Sequence, residues 1–121
     1  KLFQDALEIS PGNDALTLYY ADALVTNKQP ERALAALDSI KNSQPTPTYY
    51  QLRAKAEGDA HHPGAAHQML AEYYLMYDQI GTAIEHLEKA KKQKDVTNRE
   101  KESIDIRINE IKRLAEISRQ L

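Results

Sequence analysis

Between Gly64 and Asp95 the chain repeats apolar residues with the period of an α-helix twice over. Leu70, Ala71 and Tyr74 fall on one side of the first stretch, and Ala83, Leu87 and Ala90 on one side of the second. The short turn Asp78-Gln79-Ile80-Gly81 separates them. The pattern predicts two amphipathic helices folded as a hairpin. Small residues at Ala71 and Ala83 let the backbones approach, and larger ones a turn away fill the gap on either side.

The rest of the chain carries the same periodicity. Lys1 to Ser10 reads as a helix with Phe3, Ala6 and Leu7 on one side, stopping at Ser10-Pro11-Gly12-Asn13. A second helix runs from Asp14 to about Thr26, capped by Asn13, with Tyr20, Ala21 and Leu24 inward. Pro30 suits the first position of a third helix, which carries Ala33, Leu37 and Ile40 and ends before Gln44-Pro45. Thr48 to Ala60 predicts a further helix, entered through Thr46-Pro47, with no second helix of its own before Gly64. It reads as inserted, or as irregularly paired with the helix after it. Thr97 and Glu100 stand at capping-box spacing ahead of a long final helix. Ile104, Ile108, Ile111 and Ala115 share one face of that helix, with Leu114 and Ile106 expected to widen the stripe.

Aligning Ala33 with Ala83 places Tyr20, Ala21 and Leu24 against Leu70, Ala71 and Tyr74, and Leu37 and Ile40 against Leu87 and Ala90. Phe3, Ala6 and Pro11 precede Leu37, Ile40 and Pro45 by 34 residues. This period, with large, small, large on the first helix and small, large, small on the second, resembles the tetratricopeptide repeat. The implied fold is all-α: a superhelix of antiparallel helix hairpins with a C-terminal capping helix. A single domain is expected over residues 1–121. It contains the second helix of a truncated repeat (1–13), a full repeat (14–47), an irregular helix (48–62), another full repeat (64–97) and a capping helix (98–121). Thr17 and His67 at the first signature position, Ile40 at a small position and Asp95 in place of the terminal proline depart from the pattern. The opening at Lys1, without a methionine or a signal-like segment, predicts a piece of a longer protein.

Charge and composition narrow the function classes. The net charge is -2, which argues against a general nucleic-acid binder. Ten basic and seven acidic residues lie between Glu88 and Leu121, against six and eleven before Glu88, so an acidic body precedes a mildly basic tail. Without cysteine there is no disulfide framework, thiol nucleophile or cysteine metal cluster. No apolar run approaches the roughly 20 residues of a membrane span, so direct membrane insertion is not expected.

Candidate chemistry is sparse. His61, His62 and His67 lie close together, but His67 is off the same-face spacing that a helical metal pair requires, and His86 has no HExxH around it. These read as surface or packing histidines, with no metal or cofactor site in this chain. Tyr19-Tyr20, Tyr49-Tyr50 and Tyr73-Tyr74 are adjacent pairs in which one ring can pack and the other face a groove or solvent. Lys89, Lys91, Lys92 and Lys94 sit where cations meet the negative end of a helix. No catalytic dyad, phosphate loop or nucleophile elbow is present, so no catalytic residue is assigned.

The concave face of stacked first helices is the expected binding surface. It would comprise Ala15, Leu18, Asp22 and Val25 in one repeat, with Thr26 at its end, and Ala65, Gln68, Glu72, Leu75 and Met76 in the other. With a carboxylate in each repeat, the groove is expected to take an apolar extended or helical segment, with basic residues where charge matters.

The run from Leu52 to Lys92, LRAKAEGDAHHPGAAHQMLAEYYLMYDQIGTAIEHLEKAKK, and the later IDIRINEIKRL carry a narrower resemblance. With an "LAE-YY" hairpin and Arg107, Ile108, Glu110 and Ile111 in a terminal helix, residues 48 to 121 resemble the C-terminal repeat domain of periplasmic zinc metallopeptidases of the β-barrel assembly-enhancing type. The resemblance implies a periplasmic, outer-membrane-associated recognition arm. Its partners would be β-barrel assembly components and barrel substrates, and the zinc-binding HExxH domain would lie outside this chain. The alternative is a repeat scaffold of a cell-envelope or secretion complex with no protease attached.

Overall fold

The computed structural model describes residues 13–41 and 45–121; the expected helix over Lys1 to Ser10 lies outside the described residues. Every regular element among the described residues is a helix: α1 (Asp14–Thr26), α2 (Pro30–Asp38), α3 (Pro47–Asp59), α4 (Pro63–Leu75), α5 (Ile80–Lys91) and α6 (Asn98–Gln120). They gather into two compact units, Lys1–His61 and His62–Leu121.

In the first unit the helix ends follow local chemistry. Asn13 caps α1, its side chain accepting the Leu16 N–H at 3.0 Å. Lys28 then takes a left-handed conformation, φ 60°. This lets the Gln29 N–H reach the Leu24 carbonyl (2.8 Å) and the Lys28 N–H the Val25 carbonyl (3.1 Å), the paired bonds that close a helix C-terminus. Pro30 opens α2. That helix stops at Asp38, sooner than its periodicity suggests; the Ser39 hydroxyl donates to the Ala36 carbonyl (2.6 Å), and Ile40 is buried from the turn beyond. Thr46 caps α3, with Pro47 at its first position.

The helix that reads as inserted, or as irregularly paired with the one after it, packs on the two helices before it: α3 lies against both α1 and α2. Tyr49 joins Ala21, Leu37 and Ile40 in one cluster, and Ala56 joins Leu24, Val25 and Ala33 in another. Ala21, Ala33, Leu37 and Ala56 are wholly buried, so the small residues sit where backbones approach. Arg53 of α3 ties across to Asp38 of α2 at 2.8 Å. Tyr20 is half-buried, its hydroxyl accepting from Arg32.

In the second unit α4 and α5 form the hairpin that the pattern predicts. The turn falls earlier than expected. Asp78 adopts φ 58°, and the Gln79 N–H bonds the Tyr74 carbonyl at 3.0 Å. The reversal is therefore complete at Gln79, and Ile80 and Gly81 are already the first residues of α5. The end of α5 also comes early, at Lys91, which leaves Lys92 and Lys94 beyond the last helical residue. Ala71, Ala83, Leu87 and Ala90 form one cluster with Val96 and with Ile104, Ile108 and Ile111 of α6, while Tyr74 packs on it partly buried and Leu70 is half-buried.

Asp95 gains a role that its place in the repeat does not suggest. Its carboxylate accepts the Gly64 N–H through both oxygens, at 3.0 and 3.2 Å, supplying the N-terminus of α4 with the acceptor that His62 does not. The full capping box is present at α6: Thr97 accepts the Glu100 N–H at 3.1 Å, and Glu100 accepts the Thr97 N–H. Leu114 and Ile106 do not widen the buried stripe of this helix. They are 59% and 62% exposed, because Ile106 is turned about 200° from Ile104 and Leu114 lies about 90° off the centre of the buried stripe.

Candidate functional site

A groove of about 580 Å³ opens between α1 and α3 in the first unit. Ala15, Leu18 and Asp22 line its α1 wall at the one-turn spacing that puts them on a single face, with Tyr19 at its rim. Thr48, Gln51, Leu52 and Lys55 line the α3 wall. The floor is apolar, from Ala15, Leu18 and Leu52, and the two walls carry opposite charges, Asp22 on α1 and Lys55 on α3. The volume lies within the roughly 300–1,000 Å³ range of ligand clefts.

Three of the five concave residues expected on α1 line this groove; Thr26 is exposed outside it, and Val25 does not reach it. Val25 is 3% exposed and packs with Leu24, Ala33 and Ala56, because α3 closes over the C-terminal turn of α1. The α3 wall had a signal that the reading of this helix as an irregular insert passed over. Leu52 follows Leu18 by 34 residues, as Thr48 follows Asp14.

The face expected in the second unit is built differently. Gln68 and Glu72 line a smaller cleft, about 260 Å³, whose other wall is α6 with Ser103, Ile106, Arg107 and Glu110. Glu72 is not a free groove carboxylate, since Arg107 donates to both its oxygens at 2.9 and 2.8 Å. The Glu72 carboxylate in turn holds the Arg107 guanidinium above the usual arginine range. Leu75 packs against the core, Ala65 is half-buried, and Met76 is the exposed C-cap of α4. Only part of this set is therefore open to a ligand.

The tyrosine pairs divide unevenly. Tyr19 is 63% exposed beside half-buried Tyr20, whereas Tyr49–Tyr50 and Tyr73–Tyr74 each pack edge to face, at 73° and 81°. Among the described residues, no group of three or more His, Asp or Glu side chains is placed to hold a metal ion, and no helix is long and apolar enough to cross a membrane.

Residues 1–56 match the tetratricopeptide repeat family. The match takes in all of α1 and α2 and most of α3, the elements that build the larger groove. Repeats of this family serve protein–protein interaction, and their stacked concave surfaces bind the partner. Domains of this kind are generally non-catalytic. Neither the curated proteins nor the solved structures compared with the chain gave a match.

Proposed function

We infer that this chain is a non-catalytic protein-interaction domain that takes a peptide segment in the groove between α1 and α3. The observation that carries this reading is the coincidence of that groove with the repeat match. Asp22 on one wall and Lys55 on the other suit a segment that is apolar at its centre, with a basic side chain toward α1 and an acidic one toward α3. A peptide acidic along its whole length meets Asp22 and is disfavoured.

Selection of displayed peptides on the full chain tests this directly. Peptides of the stated pattern are expected to emerge, to shift the amide resonances of Leu18 and Leu52, and to lose at least tenfold in affinity on Ala15→Trp. Ala15 is exposed, so that variant should keep the thermal midpoint of the parent. Selected peptides that bind Ala15→Trp and Asp22→Lys as well as they bind the parent would sink the assignment.

The finer reading makes the domain the docking arm of a periplasmic zinc metallopeptidase acting on outer-membrane proteins as they assemble. What supports it is the resemblance of residues 48 to 121, whose two quoted segments, LAEYY and RINEI, supply the two partners of the Glu72–Arg107 pair. Zinc would belong to a catalytic domain outside this chain. The competing reading, a cell-envelope scaffold without a protease, rests on the repeat match alone. The encoded reading frame decides between them: an HExxH domain is expected on the first reading and absent on the second.

A further inference from the structure

His67 of α4 and His86 of α5 meet with their Nδ1 atoms 3.0 Å apart. Their ring centroids are 5.2 Å apart. A centroid separation that exceeds the nitrogen separation by about two ring radii puts both nitrogens on the line between the rings. One Nδ1–H therefore points at the lone pair of the other Nδ1. Tyr74 lies over His86 with its ring parallel to within 5°, and both histidines are half-buried.

This geometry suits a proton better than a metal ion. At metal–nitrogen distances of about 2.0–2.1 Å, an ion placed on that line would need the nitrogens about 4 Å apart. A bent site would need the two rings turned until their lone pairs converged. A single proton needs no rearrangement, because it is already the bond.

Charges around the pair work against a second proton. Lys89 of α5 acts on both rings, with Glu85 of α5 opposing it weakly at His86. The rings of Tyr73 and Tyr74 come from α4, and Asp105 of α6 is engaged with Lys91 at 2.6 Å. Burial, then Lys89, holds the His67 pKa below its ordinary value; burial, then His67 and Lys89, does the same for His86.

We propose that His67 and His86 form a proton-operated latch on the α4–α5 hairpin, closed while the rings share one proton and opened when each carries its own. With both protonated, N–H faces N–H across the same gap, next to the Lys89 ammonium. The direction follows from linkage. Groups whose folded pKa lies below the unfolded value of about 6.5 contribute stability that is present above that pH. That stability is lost as pH falls toward the folded values. Since α4 also carries Glu72, loosening it reaches α6 through Arg107.

Amide hydrogen exchange of the full chain at pH 7.5 and 5.5, corrected for intrinsic rates, tests the latch. Protection in α4, α5 and the first half of α6 is expected to fall several-fold at the lower pH, while α1 to α3 keep theirs. In His67→Gln/His86→Gln the difference should vanish. Equal loss in all helices, or the same loss in the double variant, overturns the proposal. If the double variant does not fold, imidazole nitrogen resonances of the unsubstituted chain decide. A coupled titration with its second step below 6.5 is expected, and two independent titrations near 6.5 would overturn the latch.

Discussion

Arg107 of α6 grips Glu72 of α4 through two hydrogen bonds of 2.9 and 2.8 Å, with Glu110 3.7 Å away on its own helix. The capping helix is thus pinned by a forked ion pair as well as by its apolar stripe. A guanidinium matches both carboxylate oxygens at once, which a lysine cannot do. Arg107→Lys is expected to lose about 1 kcal/mol in urea unfolding, and Arg107→Ala about 1–3 kcal/mol. Glu72→Gln should cost much less in the Arg107→Ala background than in the parent, and additive losses would show that the two side chains do not act as a pair.

Gly64 is constrained by what lies on it rather than by its own backbone. A Cβ there would run into the side chain of Val96, which is buried, and crowd the Asp95 carboxylate at 3.1 Å. Gly64→Ala should therefore destabilise the chain by about 1–3 kcal/mol, the usual range for overpacking. Asp95→Ala should cost about 1 kcal/mol through the lost cap. Urea melts read by circular dichroism would separate the two, and Val96→Ala combined with Gly64→Ala should recover part of the loss.

These two contacts show what periodicity along a chain can and cannot reveal. The inward stripes of α1, α4 and α5 are legible because Ala21, Ala71 and Ala83 recur at fixed offsets, and the starts of α1, α3 and α6 because Asn13, Thr46 and Thr97 are caps. The partners of Glu72 and Gly64 lie 35 and 31 residues away, and no local pattern encodes a meeting at that range. Turn positions blur for a different reason: the left-handed residues are Lys28, His61 and Asp78 rather than glycine. Val25 reads as a groove residue until α3 is known to cover it, and α3 itself misleads because Lys55 stands 34 residues after the small Ala21.

Lys28 makes a sharper test of that turn chemistry than Asp78. Its φ of 60° closes α1, and a residue with a Cβ holds that conformation at a cost of about 1–2 kcal/mol. Glycine removes the cost but adds unfolded-state entropy worth about 0.5–1 kcal/mol. Lys28→Gly is therefore expected to stabilise by about 0.5 kcal/mol, the difference of those terms. Lys28→Val, β-branched and intolerant of positive φ, should destabilise. A shift of the urea midpoint in opposite directions for the two variants is the expected result.

Helix α6 carries an isoleucine and a leucine about 60° apart around its axis, with opposite consequences. Ile111 is 1% exposed in the cluster with Leu87 and Ile104, whereas Leu114, three residues on, is 59% exposed. Truncating the first leaves a cavity among packed side chains, so Ile111→Ala should cost about 2–4 kcal/mol. Truncating the second removes atoms already in water, so Leu114→Ala should stay within about 0.5 kcal/mol of the parent. Both substitutions add helix propensity equally or nearly so, which leaves burial as the variable. Urea unfolding of the two variants side by side measures it, and comparable losses would mean that Leu114 is covered in solution.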